Sequence, residues 1–262
     1  MERIIQNPPA KPSPAKPQSR PTQHQTITVT ADLTPAEIEE GKLNDLYQDI
    51  YKWERHGNCE AMIEKYKTVI IPKAEQAEFE VPKNKFLFLS YRGMASCKLS
   101  QGHFAEAEAL FQKALQFATV WPTFSDSGYP IILSSIGAAQ MRQDKWNESE
   151  ETLRKAVAVF DEQIELWSKS DSEFMRTGHS ANLRRSQAQA LNLLAVACYR
   201  QQKSKEALPL LERAFQQAIQ FHAPSTLVKT IVENGVIIAD ASGESAKSTA
   251  WAQRARTLQR TP

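Results

Sequence analysis

Three segments of the chain align with one another without gaps when residues are compared by side-chain size. They cover residues 94–115, 136–157 and 194–215. Each has a large apolar residue followed by a small one, a second small residue twelve positions on, a large apolar residue four further, and an alanine three further still. The residues at these positions are Met94, Ala95, Ala107, Phe111 and Ala114; Ile136, Gly137, Ser149, Leu153 and Ala156; Leu194, Ala195, Ala207, Leu211 and Ala214. Because two helices approach to about 8–10 Å only where small side chains meet, the pattern predicts one kind of helix pair, built three times.

Helical periodicity extends on both sides of these segments. A helix start is indicated at Thr34-Pro35-Ala36-Glu37, where a hydroxyl cap precedes a proline at the first helical position and then an acid. From there to the C-terminus, apolar residues recur at a period near 3.6. Expected breaks fall at Gly57-Asn58, Pro72, Pro82, Gly102, residues 121–130, Asp144, Ala223-Pro224 and Gly243. The sequence therefore predicts an all-α chain of about five antiparallel helix pairs in an α-α superhelix, or solenoid.

The order of residue types resembles the tetratricopeptide repeat (TPR), with Phe104 and Trp146 at its turn aromatic and Gly102 at its turn glycine. The resemblance implies a repeat domain over residues 31–262. Its clearest repeats are 84–118, 129–168 and 173–221, flanked by divergent pairs at 34–77 and 225–259. Corresponding positions are 42 residues apart (Ala107 to Ser149) and then 58 (Ser149 to Ala207), whereas the family repeats about every 34. This irregular spacing predicts helices longer than usual.

Residues 1–30 differ in composition from the rest. Six prolines fall between Pro8 and Pro21, and apolar residues are sparse, so we expect a disordered, proline-rich tail. Two roles stay open for it. One is a plain spacer, and the other is a proline-motif ligand for a domain of the SH3 or WW kind.

In the TPR family, the first helices of successive pairs line a concave groove that binds a peptide or helix of a partner. By the family's pattern, the groove residues here are Arg92, Ser96, Leu99, Ser100, Ser134, Ala138, Met141, Arg142, Asn192, Val196, Tyr199 and Arg200. The resemblance implies that Arg142 and Arg200 stack along the groove and hold an acidic side chain or a C-terminal carboxylate. The alternative is that they are solvated arginines that complement the dipole at a helix end.

The family's chaperone-binding members clamp a terminal carboxylate with lysine, asparagine and arginine. Arg92 and Ser96 replace the lysine and asparagine, and Ser134 replaces a basic residue, so a chaperone tail is not the expected ligand. The apolar groove residues suit an amphipathic helix or an apolar peptide instead.

Cysteine usage leaves two interpretations open. Three cysteines are too few for a disulfide framework, and all three are compatible with buried small side chains in a reducing compartment. Alternatively, Cys59 and Cys97 form a disulfide that ties the first pair to the array, given an oxidising compartment. His56 and Cys59 lie three apart but no second ligand pair follows, so no metal site is predicted.

The sequence contains no phosphate-binding loop, glycine-rich dinucleotide turn or GxSxG elbow. Glu148, Glu150 and Glu151 precede Arg154 and Lys155 at helical spacing, typical of a salt-bridged face. We therefore expect no catalytic residue and no cofactor. The predicted function is a non-enzymatic scaffold or adaptor for a protein or peptide. The alternatives are a peptide-responsive regulatory sensor and a self-assembling structural protein, so a homo-oligomer is possible.

Charge and hydropathy limit the classes of partner that the sequence predicts. The net charge is +2, which argues against nucleic acid as a partner. The chain has no apolar run long enough for a membrane span. The N-terminus has no apolar core of the kind that a secretory signal needs. We expect a cytoplasmic protein, or an exported one if a signal peptide has been removed.

Overall fold

The structure is a computed structural model that describes residues 33–54, 58–118 and 125–260. The proline-rich segment 1–30, His56, Gly57 and Trp121 lie outside the described residues. The described chain is helical without a strand. Its elements are α1 (Pro35–Glu54), α2 (Cys59–Lys65), a π-helical turn (Tyr66–Ile70), α3 (Ile71–Glu75), α4 (Glu80–Ser100), α5 (Phe104–Ala118), α6 (Ser125–Met141), α7 (Trp146–Ser168), a second π-helical turn (Met175–His179), α8 (Ser180–Arg200), α9 (Ser204–Gln220), α10 (Ser225–Ala241) and α11 (Ser245–Arg260).

The described helices pack as five consecutive pairs. The first pair is α1 with the continuous helical stretch α2–α3, and the others are α4–α5, α6–α7, α8–α9 and α10–α11. Each second helix from α5 onward also packs against the first helix of the next pair. The predicted all-α solenoid is therefore confirmed. Within the described ranges, no helix is long and apolar enough to cross a lipid bilayer.

The chain enters α1 as predicted from its capping residues. The Glu37 amide donates to Thr34 Oγ1 at 3.3 Å, and the Thr34 amide donates to Glu37 Oε2 at 2.7 Å. This reciprocal arrangement is a capping box, which satisfies amides that have no acceptor within the helix.

Small residues bring the paired helices together. A Cβ atom on Gly137 of α6 would lie 2.5 Å from Leu153 Cγ of α7, so only glycine permits this approach. Beside it, Ser149 Oγ donates to the Gly137 carbonyl at 2.9 Å. The last pair repeats the relationship sixteen residues apart, because a Cβ on Gly235 would overlap the Trp251 ring. The pattern of small and large residues thus shows where the two helices of a pair touch. It holds also in α10–α11, which the sequence indicated only as a divergent pair.

Prolines interrupt the helices less than expected. Pro72, expected to break a helix, lies inside the continuous stretch Cys59–Glu75. It has no amide to donate to the Thr68 carbonyl. The chain passes this point as a π-helical turn, in which the Ile71 amide donates to the Tyr66 carbonyl.

Two first helices also begin earlier than the sequence indicated. Helix α4 begins at Glu80 with Pro82 in its first turn, and α6 begins at Ser125 with Pro130 in its interior. A first-turn proline is tolerated because amides there have no intrahelical acceptor. The stretch 121–130 is therefore helical from Ser125 onward, where a loop was expected.

The turns inside three pairs share one geometry. Gly102, Asp144 and Gln202 have φ of 82°, 59° and 63°. In each turn the following amide donates back across the helix end, as in His103 to the Lys98 carbonyl at 2.9 Å and Lys203 to the Cys198 carbonyl at 2.9 Å. This is the Schellman arrangement, whose left-handed position favours glycine.

Candidate partner-binding site

Three neighbouring cavities lie along the first helices of the five described pairs, and we call them together the channel and each one a stretch. The first stretch has a volume of about 230 Å³, the second about 120 Å³ and the third about 710 Å³. Ile131 and Ser135 line both the first and the second stretch, and Ser186, Gln189 and Leu193 line both the second and the third. The lining residues are Tyr47, Arg92, Gly93, Ser96, Phe111, Ile131 and Ser135 in the first; Leu99, Ile131, Ser134, Ser135, Ala138, Phe160, Ser186, Gln189 and Leu193 in the second; and Asn182, Arg185, Ser186, Gln189, Asn192, Leu193, Pro224, Thr226, Leu227 and Thr230 in the third.

The middle of the channel combines aliphatic and uncharged polar groups. Leu99, Ile131 and Leu193 supply its apolar surface. Ser134 Oγ donates to the Pro130 carbonyl at 2.9 Å, and Ser135 Oγ donates to the Ile131 carbonyl at 3.0 Å. Because each hydroxyl has already given its proton to its own helix, it is left to act as an acceptor. This surface suits an apolar side chain together with nearby amides.

Arg142 and Arg200, predicted to stack along the groove, contact aromatic rings of their own chain. The Arg142 guanidinium lies 4.9 Å from the Phe104 ring centroid, and that of Arg200 lies 5.2 Å from the Trp146 centroid. Arg142 directly follows α6 and Arg200 is the last residue of α8, and each aromatic residue opens the second helix of the pair before. The two equivalent arginines therefore make equivalent contacts between successive pairs.

A buried glutamate adds hydrogen bonds at the first of these two junctions between pairs. Glu108 accepts hydrogen bonds from Gln140 Nε2 at 3.0 Å, Gln143 Nε2 at 2.8 Å and Lys145 Nζ at 2.8 Å. Burial raises the pKa of Glu108, but these hydrogen bonds outweigh it and hold the pKa below its ordinary value.

Glu150, one repeat later, is bound by the equivalent glutamine and lysine and by Arg154 of its own helix. It accepts from Gln201 Nε2 at 2.7 Å, from Lys203 Nζ at 2.7 Å and from Arg154 Nε at 2.9 Å. Burial raises its pKa too, and the bonds from Lys203, Arg154 and Gln201 bring the pKa below normal. We define the junction motif as the aromatic residue and glutamate of one pair with the arginine, glutamine and lysine of the next. Its members are Phe104, Glu108, Arg142, Gln143 and Lys145 at one junction and Trp146, Glu150, Arg200, Gln201 and Lys203 at the other.

Comparison with known proteins identifies the architecture. No known family profile matches the sequence, and no curated protein matches it. Solved structures do match. The apo form of RapI superposes with a TM-score of 0.62 at 11% identity, covering 86% of this chain and 55% of RapI. BtubC (BKLC) from P. vanneervenii gives 0.60 at 15% identity, covering 87% and 92%. A Podosopora anserina putative kinesin light chain with nearly identical TPR-like repeats gives 0.59 at 16% identity, covering 84% and 96%. The fold is that of a TPR-like helical repeat.

The TPR-like array brings six of the predicted groove residues into the channel. These are Arg92, Ser96, Leu99, Ser134, Ala138 and Asn192. The other six, Ser100, Met141, Arg142, Val196, Tyr199 and Arg200, are not among the described lining residues. On α8 the channel runs one to three turns closer to the N-terminus than the family pattern implied. The missed stripe is Asn182, Ser186, Gln189 and Leu193, which recur at intervals of three and four residues, so they share one face of α8.

One group of side chains in the described residues has the composition of a metal site. Ligand atoms of Glu150, Cys198 and Glu206 all lie within 4.8 Å of one another. The Arg154 guanidinium occupies the same place, with Nη2 at 2.8 Å from Glu150 Oε1 and 2.6 Å from Glu206 Oε2. Burial raises the pKa of the Cys198 thiol to about 11. The thiol is therefore neutral at physiological pH, and this group is an ion-pair cluster around an arginine.

The structure joins Cys59 and Cys97 in a disulfide, with Cα atoms 5.3 Å apart. The bond links the first residue of α2 to the interior of α4. Ser100 Oγ lies 3.7 Å from Cys59 Sγ and donates to the Cys97 carbonyl at 2.8 Å. Since Ser96 precedes Cys97 and lines the first stretch of the channel, the disulfide fixes the first pair at that end. Cys198 is a free, buried cysteine.

Proposed function

We propose that this protein is a non-enzymatic scaffold or adaptor that holds a peptide or helical segment of a partner protein in the channel. The observation that carries the proposal is the arrangement of the three stretches, which share lining residues from one to the next and together involve the first helices of all five described pairs. A row of adjacent stretches of this kind can receive a partner's main chain over several residues.

The chemistry of the lining supports a protein ligand. The middle stretch, about 120 Å³, holds roughly four waters at about 30 Å³ each, or one aliphatic side chain in their place. Gln189 adjoins both this stretch and the wider third one, and its amide offers a donor and an acceptor. Apolar pockets that alternate with amide and hydroxyl groups match a peptide, which presents side chains and main-chain amides in turn.

The lining also supports a non-enzymatic role. In the part of the chain that the structure describes, the channel residues include serines but no histidine, aspartate, glutamate, lysine or cysteine. A serine hydroxyl needs an adjacent base to become a nucleophile, and the hydroxyls of Ser134 and Ser135 donate to main-chain carbonyls instead.

A pair of matched substitutions tests this function. Ala138 lines the middle of the channel, whereas Ala158 is exposed on α7, a second helix. Ala138→Arg fills the channel and Ala158→Arg adds the same side chain outside it. In affinity purification with quantitative mass spectrometry, the proteins captured by the wild type should persist with A158R and disappear with A138R. Circular dichroism first establishes that both variants are folded. Identical capture by all three proteins would refute the proposal.

A further inference from the structure

We infer that the channel selects an extended, acidic segment, with a carboxylate at each end and an aliphatic side chain between them. This inference rests on the proposed function and names the chemistry of the partner. It follows from the charges on the lining, the partners of those charges and the distance between them.

The charges on the lining are all positive and stand at its two ends. Arg92 lines the first stretch and Arg185 the third, while the described lining of the middle stretch has no charged residue. Among the described lining residues there is no carboxylate. A ligand with acidic groups at both ends and a neutral middle therefore matches the channel, and a basic ligand is repelled at both ends.

Among the described residues, both arginines contact neutral groups, which leave their charge uncompensated. The Arg92 guanidinium lies 5.8 Å from the Phe88 ring centroid. Arg185 Nη1 donates to the Phe221 carbonyl at 3.1 Å, and its Nη2 donates to Asn182 Oδ1. These contacts orient the side chains without neutralising them.

Three other arginines of the described chain show the contrast. Arg154, Arg213 and Arg254 each bind a carboxylate of a neighbouring helix. They lie on second helices, away from the channel. The arginines of the channel are thus available to a partner's carboxylate, for which a guanidinium is the preferred ligand.

The spacing of the two arginines favours an extended segment. Arg92 is on α4 and Arg185 on α8, two first-helix steps apart. At about 10 Å for each step, the guanidinium groups are separated by roughly 20 Å. An extended chain covers that distance in about six residues at about 3.3 Å per residue. A helix, about 10–12 Å wide, fits poorly over a middle stretch that holds one side chain.

Selection from a random peptide library tests the inference on the full chain. The probe is a library of random 12-residue peptides displayed on phage. We expect enriched sequences with Asp or Glu at two positions about six residues apart and Leu, Ile, Val or Met between them. Fluorescence anisotropy with the most enriched peptide should show affinity falling about tenfold for each of Arg92→Gln and Arg185→Gln, as for the loss of one charged hydrogen bond. Charge reversal, Arg92→Glu with Arg185→Glu, should shift the enriched sequences toward lysine and arginine.

Two control variants test whether the effect depends on where the charge is reversed. Lys155→Glu and Arg256→Glu make the same change on second helices α7 and α11, and should leave the peptide's affinity unchanged. A 12-nucleotide oligothymidylate probes the other class of anionic ligand. If it competed with the peptide at equal affinity, selection for an acidic protein segment would be wrong.

The remaining outcomes distinguish the inference from the proposed function. Peptides without acidic bias that nevertheless lose binding to A138R would overturn the inference and leave channel binding standing. Failure to enrich any peptide, or enrichment of peptides that bind A138R as well as wild type, would overturn both.

Discussion

The Arg200 guanidinium lies over the Trp146 indole, 5.2 Å from the ring centroid, and this contact joins one helix pair to the pair before it. Arg142 and Phe104 repeat this contact at 4.9 Å one junction earlier. At each of these junctions a buried glutamate also accepts hydrogen bonds from a glutamine and a lysine. The repeated arginines are thus accounted for by contacts within the chain, as parts of the junction motif.

A double-mutant cycle measures the Arg200–Trp146 contact. Arg200→Ala and Trp146→Ala should each lower the free energy of unfolding, and the pair should show a coupling of about 0.5–1 kcal/mol, typical of an exposed cation–π contact. Urea denaturation of the four proteins gives the coupling. Strict additivity would mean that the stack contributes nothing at this junction.

The junction glutamates predict a loss of stability in acid. The pKa values of Glu108 and Glu150 are lowered in the folded protein, so their contribution is complete above the unfolded glutamate value of about 4.3 and is lost as pH falls through the folded values. Glu108→Gln should lower the free energy of unfolding by about 1–3 kcal/mol at pH 7, and by progressively less below about pH 4.3. Urea denaturation across pH 2.5–7 measures the difference between variant and wild type; a difference independent of pH would contradict this role. Glu162→Gln, at an exposed position on α7, is the control and should change little.

The left-handed residue in the α8–α9 turn predicts a stabilising substitution. Gln202 has φ of 63°, a conformation that costs a side-chain-bearing residue about 1–2 kcal/mol. Gln202→Gly removes that cost but increases the entropy of the unfolded chain, so we expect a net gain of about 0.5–1 kcal/mol. Thermal denaturation should show a higher Tm. Gln216→Gly is the control, because Gln216 lies in the interior of α9, where glycine is unfavourable. This variant should lower the free energy of unfolding by about 1 kcal/mol. Loss of stability in both variants would show that Gln202 is not strained.

The Cys59–Cys97 disulfide predicts a thiol count. Titration in denaturant without reductant should find one free thiol, from Cys198, and titration after reduction should find three. Reduction should also lower the free energy of unfolding by about 2–4 kcal/mol, as expected from the loop that the bond closes. Three free thiols before reduction, in protein purified without reductant, would show that the bond does not form. A bond present in protein from its native source would place the chain in an oxidising compartment instead of the expected cytoplasm.

The helix pairs were predictable because their contacts are encoded at short, regular spacing. Gly137 and Leu153 lie sixteen residues apart and touch across one pair, so the pattern of small and large residues is visible in a single segment. The starting points of α4 and α6 were less visible, because a proline near a helix start is compatible with both a break and a first turn.

The channel was predictable only in part. Which face of α8 lines it depends on how α6 and α10 pack against that helix, and the family pattern placed the face too close to the C-terminus. Ser186 and Gln189 were missed for this reason. The junction motif was missed for a different reason. Glu150 binds Gln201 and Lys203, which are 51 and 53 residues further along the chain. The sequence indicated only the contact with Arg154, four residues away on the same helix.

Site-specific photocrosslinking tests the central claim, that the partner lies in the channel, most directly. A photoreactive phenylalanine analogue replaces Gln189, which lines two stretches of the channel, or Gln216, which is exposed on the second helix α9. Mixed with a lysate and irradiated, the Gln189 variant should form a discrete crosslinked product that the enriched acidic peptide suppresses, and the Gln216 variant should form none. Equal crosslinking at both positions, or crosslinking only at Gln216, would contradict the claim.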